Sequence, residues 1–192
     1  MTHLIGLSGS LRRQSFNSAL LHGAASVMPE GASLEIRLLH DVPLYNFDVE
    51  AERGIPQAVD ELKNYLAAAD GLLIATPEYN NSVPGVLKNA IDWMSRPSGD
   101  IPRVFGDLPV AVVGASPGGF GTVLSQAAWL PVLRTLGMRQ WTGGRLLVAK
   151  AGAAFDGDGA LIDAEVRERL RRFVEGFTTF VRERPARQNA GE

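Results

Sequence analysis

The residues best suited to chemistry gather in three stretches, each placed just after an apolar run. The first is Gly9-Ser10-Leu11-Arg12-Arg13-Gln14-Ser15-Phe16-Asn17, which brings hydroxyls, an amide and a guanidinium to the opening of a helical pattern. Free backbone amides and the positive end of a helix dipole suit a phosphate monoester, which carries about two negative charges. The plainer reading is an ordinary turn in which Ser15 caps the helix and the arginines are solvated. Two familiar phosphate motifs fail. Gly-Lys-Ser/Thr does not occur, and Gly6 and Gly9 are too widely spaced to begin G-x-G-x-x-G. A mononucleotide cradle fits these residues better.

The second stretch, Gly114-Ala115-Ser116-Pro117-Gly118, matches G-x-S-x-G, the nucleophile elbow of hydrolases. That chemistry needs a histidine after the serine, yet the histidines are His3, His22 and His40. It also needs an oxyanion-hole N–H from the next residue, and Pro117 has none. The hydrolase reading fails. Glycines here instead permit close backbone approach to a ligand. The third stretch runs Thr76-Pro77-Glu78-Tyr79-Asn80-Asn81-Ser82-Val83-Pro84-Gly85 and leads into another helical pattern.

Composition narrows the chemistry further. The chain has 192 residues, no cysteine and a net charge of -2. Disulfides, thiolate catalysis and zinc–thiolate sites are excluded, and no His spacing resembles a metal site. The charge gives no reason to expect nucleic acid or an acidic membrane. No basic region precedes the apolar run Leu4-Ile5-Gly6-Leu7, and no apolar stretch is long enough to cross a bilayer, so a cytoplasmic protein is expected.

Strands are expected at Thr2 to Leu7, Ser33 to Leu38, Gly71 to Ala75, Pro109 to Gly114 and Arg145 to Ala149. Helical spacing joins Leu20, Ala24 and Met28, then Val59, Leu62 and Leu66 between Pro56 and Ala69, then Val86, Ala90 and Met94 after Pro84. A fourth helix should run from a Thr122 cap to Gly137 with a kink at Pro131, and a last one from about Asp163 to Arg182. Strand and helix alternate, so the fold class is α/β: a three-layer sandwich around a five-stranded parallel sheet of order 2-1-3-4-5. One domain should span residues 1–184, with a loose polar tail over 185–192. In that strand order a ligand belongs at the carboxyl ends of the first and third strands, and the fourth adds its loop. The three unusual loops follow those three strands.

Gly9 to Asn17 and Pro77 to Trp93 read together as G-S-L-R-x-x-S-x-N and P-E-Y-N-x-S-x-P-G-x-L-K-N-A-I-D-W. That pattern closely resembles the NADPH-dependent FMN reductase family, which includes bacterial quinone, chromate and azo-dye reductases. The resemblance covers most of the chain, including Ala115 to Gly119 and Ala154 to Gly159. It implies a flavodoxin-like fold that holds flavin mononucleotide (FMN) without a covalent link. By the match, Ser10, Arg12, Ser15, Phe16 and Asn17 would hold the phosphate and ribityl chain. Pro77, Glu78, Tyr79 and Asn80 would lie along the isoalloxazine ring, with Ser116 and the amide of Gly118 or Gly119 on its polar edge. Asp92 and Trp93, beyond the pocket on a helix, are expected in burial or subunit packing rather than catalysis, and Lys88 in a structural or surface contact.

The implied activity is an NAD(P)H-dependent oxidoreductase, a quinone reductase working by ping-pong hydride transfer with no catalytic side chain and no metal. NADPH and NADH both stand as co-substrate, and quinones, azo dyes, metal oxyanions and free flavins as acceptors. A flavodoxin-type electron carrier or a flavin-binding regulatory protein is the alternative. Such carriers are usually strongly acidic with a Thr-rich phosphate loop, unlike this chain with its Arg12 and its charge of -2. The resemblance also implies a homodimer or a dimer of dimers, to which Trp93 and the Val86/Ala90/Met94 stripe could contribute, with intramolecular core the stronger reading of the stripe.

Overall fold

The apolar runs of the sequence become parallel strands, and the helical patterns between them cover both faces of the resulting sheet. The computed structural model describes residues 1–183, so the tail expected over 185–192 lies outside the described residues. Strands β1 (Thr2–Ser8), β2 (Ala32–Arg37), β3 (Gly71–Ala75) and β4 (Pro109–Ala115) stand in the order β2-β1-β3-β4, with β5 (Arg139–Gln140) beyond β4. Every pairing is parallel. The expected order 2-1-3-4-5 holds, with one refinement. The fifth position is shared by β5, which pairs with Pro109 and Val110, and β6 (Leu146–Val148), which pairs with Val113 to Ala115. The sequence alone showed only the second segment, because two residues are too few to carry a pattern.

Side chains alternate across the strands and so feed two cores. Leu4, Leu73 and Val113 face α1 (Phe16–Ser26) and α7 (Ala164–Arg182), where Leu20, Leu21, Leu170 and Phe177 are fully buried. Ile5, Leu72 and Ile74 belong to the opposite core, with Val59 and Leu66 of α3 (Gln57–Ala68), Leu87 and Ile91 of α4 (Gly85–Met94), and Trp129 and Leu133 of α6 (Val123–Thr135). Most of the α4 stripe and Trp93 turn out to be interior: Ala90, Trp93 and Met94 have no exposed surface, the Trp93 indole donates to the Pro43 carbonyl at 2.9 Å, and Val86 alone of the stripe is half-buried. Ala90, Trp93 and Met94 are therefore not available to a subunit contact. Lys88 pairs with Asp92 at 2.7 Å one turn on, a surface contact as expected.

Three local differences have simple causes. Helix α1 ends at Ser26, short of Met28. A short helix α2 (Phe47–Arg53) escaped the sequence pattern because it buries none of its residues and so has no apolar stripe; the Asn46 side chain caps it. Another short helix, α5 (Ile101–Val104), precedes β4. Finally, Thr122 stands at the N-cap of α6 but its hydroxyl makes no cap bond there, accepting instead from Gln126 Nε2 at 3.2 Å.

Candidate cofactor site

The carboxyl ends of β1, β3 and β4 bring the three unusual loops together. After β1, Gly9 donates its N–H to the Ala75 carbonyl at 2.9 Å. A Cβ on Gly9 would stand 2.8 Å from Pro77 Cδ and 2.9 Å from Pro84 Cγ, so only glycine lets the first loop lie against the third. Ser10 and Ser15 are buried within the turn that follows. Ser15 caps α1 by accepting from Ser18 N at 3.2 Å, so the plainer reading of this residue is correct as far as it goes. It does not use up the helix start. The amides of Phe16 and Asn17 have no acceptor among the described residues. Arg12 donates Nε to the Gln14 carbonyl at 2.9 Å and places its guanidinium 5.2 Å from the Phe16 ring centre. One cation is thereby fixed beside two free amides and two hydroxyls.

Asn17 is used differently from expectation. Its side chain is buried, donating Nδ2 to the Ala115 carbonyl at 2.9 Å and accepting from Ala115 N at 3.0 Å. This two-way clasp ties the first turn of α1 to the end of β4. Only one Nδ2 proton and the backbone N–H are left for a ligand.

In the third-strand loop, Tyr79 and Ser82 exchange backbone hydrogen bonds of 3.2 and 3.0 Å. Asn80 and Asn81 turn between them with φ of 50° and 62°, a type I′ geometry that asparagine tolerates better than most residues. The turn holds Tyr79 and Asn80 outward, Tyr79 at 48% exposure. Pro77 is buried at the root. Glu78 departs from expectation: its carboxylate accepts from Leu124 N at 2.7 Å and Ser125 N at 3.1 Å, and so caps α6 in place of Thr122. Both bonds fall on Oε2, so one carboxylate oxygen is committed to the helix, and Oε1 and the backbone N–H are left for a ligand. Beneath the loop, Thr76 Oγ1, Ser125 Oγ and Trp129 Nε1 form a fully buried hydrogen-bonded group. Sequence reading missed these three. A hydroxyl at the end of a wholly apolar strand was the available signal for Thr76.

After β4, Ser116 donates its hydroxyl to the Gly121 carbonyl at 2.7 Å, while its backbone pairs with Val148 and Ala151 at 3.0 Å each. The amides of Gly118 and Gly119 have no acceptor among the described residues. A Cβ on Gly119 would meet nothing within 4 Å, so open space lies above that residue. Gly114 is the opposite case: a Cβ there would stand 1.9 Å from Thr122 Oγ1 and 2.5 Å from the Thr76 carbonyl. Its absence lets β4 close against both neighbouring segments.

The donor set fits a flat ligand with a dianionic tail: hydroxyls, free amides and a guanidinium at one end, and unpaired loop amides with an exposed tyrosine at the other. A cavity of about 350 Å³ opens beside the phosphate-type turn, between Arg12 and Arg13 on one lip and Asp156 and Asp158 on the other. Pro77 to Asn80 and Ser116 to Gly119 do not line it. No group of His, Asp or Glu among the described residues could hold a metal ion.

Charged pairs tie together the helices that cover the α3–α4 face. Tyr45 donates its hydroxyl to Glu50 at 2.9 Å and packs edge-on against Trp93, and Arg96 donates to the same carboxylate at 2.9 Å. The Arg96 hydrogen bond holds the Glu50 carboxyl below the usual range, and desolvation, then Glu50, raise the Tyr45 phenol. Lys63, almost wholly buried, meets Asp100 at 2.7 Å and donates to the Arg96 carbonyl at 2.6 Å. Arg103 first, then Lys63, hold the Asp100 carboxyl well below its ordinary value.

Comparison with known proteins identifies the family and the fold. Residues 2–153 match the family described as NADPH-dependent FMN reductase. The chain is 42% identical over 179 residues to an NAD(P)H-dependent FMN reductase of Pseudomonas aeruginosa, covering 93% of this chain and 95% of that one. It is 38% identical over 176 residues to a 2-hydroxy-1,4-benzoquinone reductase of a Burkholderia species, covering 92% and 94%. Among solved structures it resembles a flavoenzyme NAD(P)H:(acceptor) oxidoreductase of Paracoccus denitrificans, with a TM-score of 0.82, 35% identity, and 95% and 98% of the two chains covered.

Proposed function

This chain belongs to the NADPH-dependent FMN reductase family, and from that premise we propose that it oxidises NAD(P)H and reduces a quinone or another small acceptor, with FMN held non-covalently by the three loops. The observation that carries the proposal is the meeting of unpaired amides, buried hydroxyls and the fixed Arg12 guanidinium at the carboxyl edge of one parallel sheet. Ser10, Arg12, Ser15 and the amides of Phe16 and Asn17 would hold the phosphate. Pro77, the Glu78 amide, Tyr79 and Asn80 would wall the ring, and Ser116 with the amides of Gly118 or Gly119 would meet its polar edge. Bound there, FMN supplies the two-electron exchange between donor and acceptor.

What the protein adds is placement. Asn17 and Glu78 lock the loops to β4 and α6, so the donors are fixed before a ligand arrives. No side chain of the site is needed as nucleophile or base. A cytoplasmic location is part of the same reading; no helix among the described residues is long and apolar enough to cross a membrane. So is a homodimer. Leu11, Leu38, Leu44, Phe47, Tyr79 and Phe120 all follow strands at the edge that carries the site, and all are exposed by 37 to 85%. A second copy would cover this rim. Replacing Leu44 by Glu should then yield monomers in light scattering; an unchanged assembly would place the contact elsewhere.

The direct test is anaerobic mixing of the purified yellow protein with NADPH, followed by initial-rate kinetics with a quinone. Rapid bleaching and parallel double-reciprocal lines are expected. A protein that stays yellow would be a carrier or a regulator, and intersecting lines would rule out a shared donor and acceptor position.

A further inference from the structure

The buried group under the third-strand loop has a single arrangement of protons that leaves none unused. Thr76, Ser125 and Trp129 have no exposed surface, so their polar atoms must find partners within the protein. Trp129 Nε1 can only donate, and it reaches Thr76 Oγ1 at 3.0 Å. Ser125 Oγ has one partner, Thr76 Oγ1 at 2.8 Å, so its proton goes there as well. Both lone pairs of the Thr76 oxygen are then occupied. Its own proton goes to the Pro77 carbonyl at 3.0 Å. The opposite choice, Thr76 donating to Ser125, would strand the Ser125 proton and leave the Pro77 carbonyl without this donor.

Direction follows from planarity. The Pro77–Glu78 peptide is trans, so its C=O and N–H point in opposite senses. With the carbonyl drawn inward to Thr76, the Glu78 N–H is turned outward, and it has no acceptor among the described residues. The Glu78 carboxylate, held by Leu124 N and Ser125 N, fixes the other side of the same residue. We propose that Thr76 is a positioning residue whose hydroxyl aims the Glu78 amide at the edge of the flavin ring, while Ser125 and Trp129 only occupy the acceptor side of that hydroxyl, so that either one can be lost without changing where its proton goes. The inference rests on the reading of the Pro77 to Asn80 loop as the ring wall.

The roles are unequal, and that makes them testable. Thr76→Val keeps the shape and removes the donor; Thr76→Ser restores it. Ser125→Ala and Trp129→Phe each remove one bond to Thr76 and leave its donation to Pro77 in place. The readouts are FMN affinity of the full-length apoprotein, by quenching of FMN fluorescence, and the reduction potential of the bound flavin. Thr76→Val should weaken FMN binding about tenfold and make the potential more negative, since an aimed N–H favours the more electron-rich reduced ring. Thr76→Ser, Ser125→Ala and Trp129→Phe should stay within about twofold of the parent, well inside one hydrogen bond's worth. Equal defects in Thr76→Val and Ser125→Ala, or a normal Thr76→Val, would overturn the inference. Should Thr76→Val fail to fold, hydrogen exchange at the Glu78 amide of the unaltered protein decides: slowing by tenfold or more on adding FMN supports it, and unchanged exchange overturns it. A parent protein that binds no FMN would instead overturn the underlying reading of the loop.

Discussion

Replacing Asn17 by Ala removes the clasp between α1 and β4 and leaves the Ala115 N–H and C=O without partners. Ala115 is only 2% exposed, so water does not readily replace the lost amide. Two hydrogen bonds of about 1 kcal/mol each are lost, and each unsatisfied buried group adds about 1–3 kcal/mol, relieved in part by solvent entering the space vacated. A loss of about 3 kcal/mol is therefore expected, a large share of the roughly 5–15 kcal/mol that holds a domain folded. Urea unfolding followed by circular dichroism, with and without saturating FMN, measures it. The FMN-dependent increment should shrink too, because the helix start that faces the phosphate is no longer held to the sheet. A change below about 0.5 kcal/mol in both conditions would refute the clasp, since it is less than one ordinary hydrogen bond. Asn17→Asp offers a sign test. Its carboxylate would face the Ala115 carbonyl in a buried place, raising its pKa in the folded state. Stability of that variant should be present below the unfolded carboxylate pKa and fall as pH rises through the folded one.

Other perturbations reach different parts of the structure. Arg12→Ala should weaken FMN binding about tenfold to a hundredfold in a fluorescence titration, the worth of one charge-assisted contact, and Arg12→Lys should not restore it, because a lysine lacks the planar fork. Asp100→Asn should cost about 2 kcal/mol by thermal or urea unfolding, since it leaves the buried Lys63 with only the Arg96 carbonyl. The Asp100 carboxyl is depressed in the folded state, so its contribution is present above the ordinary value of 3.8 and drains away as pH falls below it. The parent should lose stability over that acidic range and Asp100→Asn should lose less. Gly114→Ala should yield little folded protein or a large drop in melting temperature, because no side-chain rotation clears a Cβ at 1.9 Å from Thr122 Oγ1 and 2.5 Å from a backbone oxygen.

Sheet order and the placement of the three loops were legible because parallel strands buried on both faces leave long apolar runs, as in Gly71–Ala75. What the sequence hid was the use of side chains whose partners are distant along it. Asn17 reads as a ligand residue until its partner Ala115, 98 positions away, is in place. Glu78 reads as part of the ring wall until α6 offers it two amides. Thr122 reads as the α6 cap for the same reason, and Trp93 reads equally as buried or as a subunit contact until Pro43 takes its indole N–H. Asn80-Asn81 was legible as polar loop but not as the tight turn it makes, although two adjacent asparagines are a recognisable signal for φ above zero. Helix α2, with no buried face, left no periodic trace at all.

The claim on which the rest depends is that the start of α1 and the Arg12 turn grip a phosphate. Comparing FMN with riboflavin, which differs only by lacking that phosphate, tests it most directly. Titrated into the apoprotein, FMN should bind at least about a hundredfold more tightly, as expected for two or more charge-assisted hydrogen bonds. The gap should narrow in Arg12→Ala. Equal affinity for the two flavins would contradict the assignment of this turn.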